Sequence, residues 1–326
     1  MAINPSSFVT RTALENFSIK AMNELTDYIA DDIFEPVIVS KEQVKVYQYD
    51  TSQFRLSDSR KDSKAAADSI DYGVFATDRT CLLHKLKGEW DPNDSVQFDA
   101  VVADQEMDVA ANVMQRLMLY KEYEAATAVT TTTNYPASLT ATLAADATWI
   151  VNGGDPLTNV ATARTAVRTY CAKEPNAAAL SWTTFEKLRA SPYFLDTMKY
   201  TKASVTAGEF KALLQTWLGV EQLFIGKALK NTNAEGSATQ TLSDVWGDGI
   251  LFYVKSGTTS PRSMRFGANY IFNQIYTHRW QDEERGAGRG RIQLLEMGLS
   301  YVLAPGAVVS SSDTDYAAGY YLSNVV

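Results

Sequence analysis

The sequence predicts an α+β fold, and three observations carry that reading. A long helical stripe without Pro or Gly runs near residue 100. The middle third alternates helix starts with short apolar runs. The last third places apolar residues at every second position. At 326 residues the chain makes one large domain or two modest ones, with ample length for a core. Its 45% hydrophobic and 21% charged content is that of a folded protein.

Residues 1–43 read as an arm with little core of its own. Leu14, Phe17, Ala21, Leu25 and Tyr28 share one side of an amphipathic helix from Ala13 to Ile29, which Asp31-Asp32 and Pro36 break. Ordering backbone costs about 1–2 kcal/mol per residue, so such an arm is ordered by packing on something, with a neighbouring subunit the natural support. VKVYQY at 44–49 is rich in β-branched and aromatic types and reads as a strand. Residues 55–71 are polar and charged, and apolar density returns at Tyr72–Phe75 and Cys81–Leu86. This is an extended hairpin whose tip is either a projecting limb or a solvated surface loop.

Asp94 and Ser95 open the clearest helix, over 95–127. Phe98, Val102, Val109, Val113, Leu117 and Tyr120 form its stripe, and such a helix is about 50 Å long. Asp104 and Asp108 share a face at i, i+4, but no third ligand converges on them, so a solvated face is expected. The Thr/Ala-rich stretch 127–148 is a loose connection or weak strands at a domain boundary. Asp155 then caps a helix that begins at Pro156 and runs to about Lys173. Ala177–Leu180 is a short buried strand. Thr183 with Glu186, and Thr206 with Glu209, are capping-box patterns. The first opens a helix that ends before Pro192; the second opens one carrying Phe210, Leu213, Leu214 and Trp217 and stopped by Gly219. Val220–Ile225 leads into a small polar loop, and the chain returns through Ser243–Gly247 into the apolar run Ile250–Val254. Beyond Pro261, Leu295, Met297, Leu299, Tyr301 and Leu303 alternate with Glu296, Gly298, Ser300 and Val302, the mark of a half-buried strand. Met264–Phe272 and Tyr320–Val326 are further strands.

The chain carries little equipment for chemistry. His84 and His278 belong to no motif, and no metalloprotease, nucleophile-elbow, Walker or dinucleotide signature is present, so neither enzyme activity nor a cofactor or metal is expected. Cys81 and Cys171 allow at most one disulfide and read as packed thiols. A net charge of -8 argues against a dedicated nucleic-acid binder, which needs a basic face. No apolar run reaches a membrane-spanning length and the N-terminus lacks the pattern of a secretory signal, so no membrane partner is expected. Two basic features stand out. Arg55, Arg60, Lys61 and Lys64 cluster at the hairpin tip without aromatics to stack bases. Arg285-Gly286-Ala287-Gly288-Arg289-Gly290-Arg291 reads as a β-turn, or more weakly as a phosphate contact, because a strand rather than a helix follows it.

Ser191-Pro192, the run Leu218–Asn231 and Leu242-Ser243-Asp244-Val245-Trp246-Gly247 before a strand occur in a suggestive order with the arm, hairpin, long helix and β-rich end. Over nearly the whole chain this order resembles the Hong Kong 97-like fold of the major capsid proteins of tailed bacteriophages. The resemblance implies an N-terminal arm at 1–43, an E-loop with flanking strands at 44–88, and a peripheral (P) domain with its spine helix at 89–139. It further implies an axial (A) domain at 140–258 and a β-rich return to the P domain at 259–326. The function implied is self-assembly into an icosahedral head shell around a double-stranded DNA genome. An encapsulin-like compartment shell with enzyme cargo is the alternative. The partners implied are copies of itself in pentamers and hexamers, with separate scaffolding, decoration and portal proteins. DNA would be enclosed without sequence-specific binding, in a virion capsid assembled in the host cytoplasm. Arg55, Arg60, Lys61, Lys64, Arg285, Arg289 and Arg291 would then make intersubunit contacts, and Lys230, Asn231, Asn233 and Glu235 would lie in the A-domain loop at the capsomer centre. No Lys, Asn and acidic set matches the family's covalent crosslink.

Overall fold

A computed structural model of the chain describes residues 27–49, 54–57, 59–61, 65–70, 73–91, 105–151, 154–199, 206–233, 241–258, 263–282, 285, 292–306 and 316–326. Two sheets organise it.

The first sheet has the order β1-β11-β12-β4, with β1 at Phe34–Val39, β4 at Leu82–Trp90, β11 at Gly267–Gln281 and β12 at Gln293–Pro305. β1 joins β11 in parallel, and the other pairings are antiparallel. Helix α2 (Gln105–Thr130) packs across it. Ala110, Val113, Met114, Leu117 and Met118 meet Leu295, Met297, Leu299 and Tyr301, so the alternation read in β12 does aim one face at the helix. The start of the expected helix, residues 95–104, lies outside the described residues. The stripe also departs from expectation. Tyr120 is exposed, and Lys121 and Glu122 take the buried positions instead, followed by Ala125, Ala126 and Val129.

The second sheet has the order β5-β13-β10-β6-β7, from Thr140–Thr142, Gly319–Ser323, Ile250–Tyr253, Ala177–Ser181 and Gln222–Gly226. Helices α3 (Pro156–Cys171), α4 (Trp182–Arg189), α5 (Pro192–Lys199) and α6 (Ala207–Leu218) accompany it. Val160 and Val167 of α3, Phe185 of α4, Phe194 of α5 and Phe210 of α6 join the fully apolar β10 in one core. Asp155 caps α3 as expected, accepting from the Thr158 amide at 3.1 Å. The Thr206–Glu209 box forms in both directions, and Gly219 closes α6 in the left-handed region at φ 68°, where glycine has no Cβ to strain. Replacing Thr206 with Ala should therefore cost about 1 kcal/mol, read as a lower urea midpoint at constant m-value.

Several expectations are corrected. Residues 29–37 are not a coreless arm: Ile29, Ala30, Ile33 and Phe34 are buried in the main core, and Val37 is buried beside β11. Asp31 and Asp32 sit inside the short helix α1 (Ala30–Ile33), and Pro36 lies within β1, at a sheet edge where its missing N–H is tolerated. The proposed helix before Asp27 lies outside the described residues. The N-cap of α4 is Ser181, not Thr183, because the Ser181 hydroxyl accepts from the Thr184 amide at 3.1 Å. The loose stretch after α2 is partly core, with Tyr135, Leu139 and Trp149 buried. The last strand, β13, does not return to the first sheet with β11 and β12; it pairs with β10 and β5 in the second.

Two ribbons complete the molecule. β2 (Gln43–Tyr49) pairs antiparallel with β3 (Val74–Thr80), and β8 (Leu229–Asn231) with β9 (Leu242–Asp244).

Candidate functional site

Two features stand out: an exposed ribbon and a buried polar junction. The ribbon begins from a packed base. Val46 and Cys81 are buried with Val37, Ala268 and Tyr270. From there every residue of β3 is exposed or half-exposed, while Gln48 of β2, opposite Phe75, stays buried. Val74 and Phe75 are exposed, and Leu56 and Ile70 between the strands are 98% and 79% exposed. β4, at the edge of the first sheet, adds exposed Leu82, Leu83 and Leu86. Apolar side chains bared along a thin ribbon and a sheet edge mark a contact surface.

Of the basic residues read from the sequence, Arg55 and Arg60 are exposed in this region. Lys61 is exposed too and pairs with Asp68 at 2.8 Å. Lys64, Arg289 and Arg291 lie outside the described residues. Arg285 sits in the connection between β11 and β12, as the turn reading expects, but its partners are in its own chain: Asp282 at 2.6 Å and Glu89 at 2.8 Å. The Arg285 bond holds the Glu89 carboxyl below its ordinary range. In the β8–β9 hairpin, Asn231 accepts from the Asn233 amide at 3.0 Å, and Lys230 lies 4.7 Å over the Tyr123 ring of α2. Lys230 therefore turns toward the long helix, while Glu235 is outside the described residues.

The chemical inventory stays sparse. His84 stacks on Tyr301 at 4.5 Å and His278 lies 5.0 Å from Trp280, so both serve in aromatic clusters. Cys81 and Cys171 are free and buried, and burial raises both thiols above their usual range. Among the described residues no group of three His, Cys, Asp or Glu converges, and no helix is long and apolar enough to cross a membrane.

The buried junction left no trace in the sequence pattern. Glu122 is wholly buried on α2, and its carboxylate accepts three bonds from two other segments: the Ile29 amide at 2.9 Å, the Ala30 amide at 2.8 Å and the Trp246 indole at 2.6 Å. Burial pushes its pKa up despite those donors. Lys121 donates to Asp31 at 2.5 and 2.7 Å, and Asn269 of β11 donates to the same carboxylate at 3.0 Å. Lys255, beyond β10, donates to Asp32 at 3.0 Å. Arg265, only 1% exposed at its side chain, faces Glu35 at 3.3 Å, and the Gly257 amide donates to Glu35 at 2.7 Å. The seat of Trp246 needs a glycine: a Cβ on Gly226 would lie 2.3 Å from the indole Cδ1. Gly226→Ala should cost about 1–3 kcal/mol, measured by urea unfolding.

Comparison with known proteins places this geometry. No family model matches the chain. The major capsid protein of Burkholderia phage BcepMu is 22% identical over 240 residues, covering 73% of this chain and 74% of that protein. A phage-related protein from Bordetella bronchiseptica superimposes with a TM-score of 0.71 at 20% identity, covering 95% of this chain and 97% of the other. The capsid structure of cyanophage P-SCSP1u gives 0.55 at 11% identity, over 90% of this chain and 87% of that one. A virus-like particle from Pyrococcus furiosus gives 0.54 at 10% identity, over 95% and 97%.

Proposed function

We propose that this chain, which has the Hong Kong 97-like capsid fold, is a major capsid protein that self-assembles into the icosahedral head shell around a phage double-stranded DNA genome. One observation carries the reading: a long antiparallel ribbon bares apolar residues that nothing in the described chain covers. A monomer keeps such a surface at the expense of solubility, whereas a tile buries it against the next copy.

The parts then take roles. Residues before Asp27 form the arm, and the β2–β3 ribbon with its tip is the E-loop. The first sheet with α2 is the P domain. The second sheet is the A domain, to which β13 belongs through its pairing with β10. A domains meet around the five- and six-fold axes, while arm and E-loop clasp neighbours. Arg55 is the tip residue offered to acidic partners on the next subunit. Many modest contacts on one subunit make a durable shell, because releasing it requires breaking all of them together. The chain acts as structure, without catalysis or cofactor. The net charge of -8 repels packaged DNA, so contacts with the wall are sparse. Scaffolding, decoration and portal functions come from separate proteins, and assembly takes place in the host cytoplasm.

The test is co-expression of the full chain with its neighbouring gene products, followed by sedimentation and a nuclease-protection assay. Fast-sedimenting particles containing nuclease-resistant DNA are expected. Particles filled with a protein cargo and no genome would move the reading to an encapsulin-like compartment, and a chain sedimenting only as a monomer would remove the shell altogether.

A further inference from the structure

The segment Asp27–Glu35 is bonded to both halves of the molecule. Ile29 and Ala30 donate to α2, and Asp31 receives from Lys121 of α2 and Asn269 of β11. Asp32 receives from Lys255, its carbonyl accepts from the Tyr253 hydroxyl of β10, and Glu35 faces Arg265. The Lys227 amide, between β7 and β8, donates to the Asp27 carbonyl at 3.2 Å. This segment therefore straps the first sheet and its helix to the second sheet. It also continues directly from the chain's N-terminal residues.

We infer that Glu122 is the latch of this strap: one buried carboxylate fixes both the strap and the Trp246 loop of the second-sheet unit to α2, so that strap, helix and loop move together while it is made and independently once it is lost. The chemistry is specific. The three groups bonded to Glu122 are two backbone N–H groups and an indole N–H, which only donate. They need an acceptor on both oxygens. Glutamine would present one oxygen and turn its NH₂ toward a donor. The nearby carboxylate of Asp31 already accepts from Lys121 and Asn269, so it does not replace the lost acceptor. The indole seat over Gly226 commits Trp246 to this partner. The inference requires nothing of the assembled state, and it holds for the isolated subunit.

Hydrogen exchange followed by mass spectrometry on the full chain tests it. In Glu122→Gln, peptides covering 27–34 and 244–248 should exchange about tenfold faster, while the β12 peptide covering 295–301 keeps its rate. Trp246→Phe keeps an aromatic ring near Gly226 and removes the indole donor together with part of the bicyclic ring. It should speed exchange at 27–34 about threefold, although an indole N–H cannot itself bond the Ile29 and Ala30 amides. That response is the one a shared carboxylate predicts, and it can be read even if Glu122→Gln fails to fold. Unchanged exchange at 27–34 in Trp246→Phe, or acceleration spread equally into β12, would overturn the latch.

Discussion

Replacing residues 50–73 with Asn-Gly should abolish particle formation and leave the fold intact. Tyr49 and Val74 are register partners at the far end of the β2–β3 ribbon, so a two-residue turn can join them without moving either strand. The deletion removes Leu56 and Ile70, two of the most exposed apolar side chains, along with the basic tip residues Arg55 and Arg60. The base of the ribbon, where Val46 and Cys81 are buried, is untouched. Going from 24 residues to two halves the loop between three and four times, so at about 0.6 kcal/mol per halving closure entropy favours the shortened chain by about 2 kcal/mol. Its urea midpoint should not fall. Gel filtration should show subunits or small oligomers where the parent chain gives particles. Particles of normal yield from the shortened chain would mean that the ribbon is not the clasp.

Glu35→Ala should destabilise the subunit by roughly 3–5 kcal/mol, the effect expected when one member of a buried ion pair is removed. Arg265 is 1% exposed at its side chain and cannot reach water without moving β1 or the 257–265 segment. The Thr258 carbonyl at 2.6 Å and the Ser263 hydroxyl at 2.5 Å also bond Arg265, and neither is a counter-charge. The Gly257 amide would lose its acceptor as well. Glu35→Gln keeps that acceptor and should cost less than the alanine change. Urea unfolding of both variants measures the order; equal and small effects, below about 0.5 kcal/mol, would show that the pair contributes little.

How far the sequence carried the fold depended on how local each signal was. The capping box at Thr206 and the Asp155-Pro156 start are complete within a few residues, and both appear as read. The alternation from Leu295 marks the helix-facing side of β12, but the strand is not half-buried, since Gly298 and Ser300 on its other side are buried too. The long helix was legible while its buried stripe stayed apolar. At Lys121 and Glu122 the stripe becomes charged, so the pattern drifted onto Tyr120, which is exposed. Those charges are buried because their partners, Asp31, Ile29, Ala30 and Trp246, come from 90 to 124 residues away, beyond any local pattern. β1 was hidden by Pro36, which argues against a central strand but not against an edge strand. Helix α5 was hidden by Pro192, read as a stop where it opens the first turn. Thr183 and Glu186 matched a capping box, yet Ser181 stands two residues earlier and takes the Thr184 amide. Of the surface residues, the basic tip was legible as charge. That Arg285 is neutralised by Glu89 of β4 was not, because the pairing depends on β4 lying beside β12.

The most direct test is a cryo-electron microscopy map of the particles at side-chain resolution. The proposed role requires closed shells in which Leu56, Ile70 and Phe75 of each chain, exposed in the single subunit, are buried against the adjacent copy. A map in which those side chains still face solvent, or in which ribbons touch no neighbour, would contradict it.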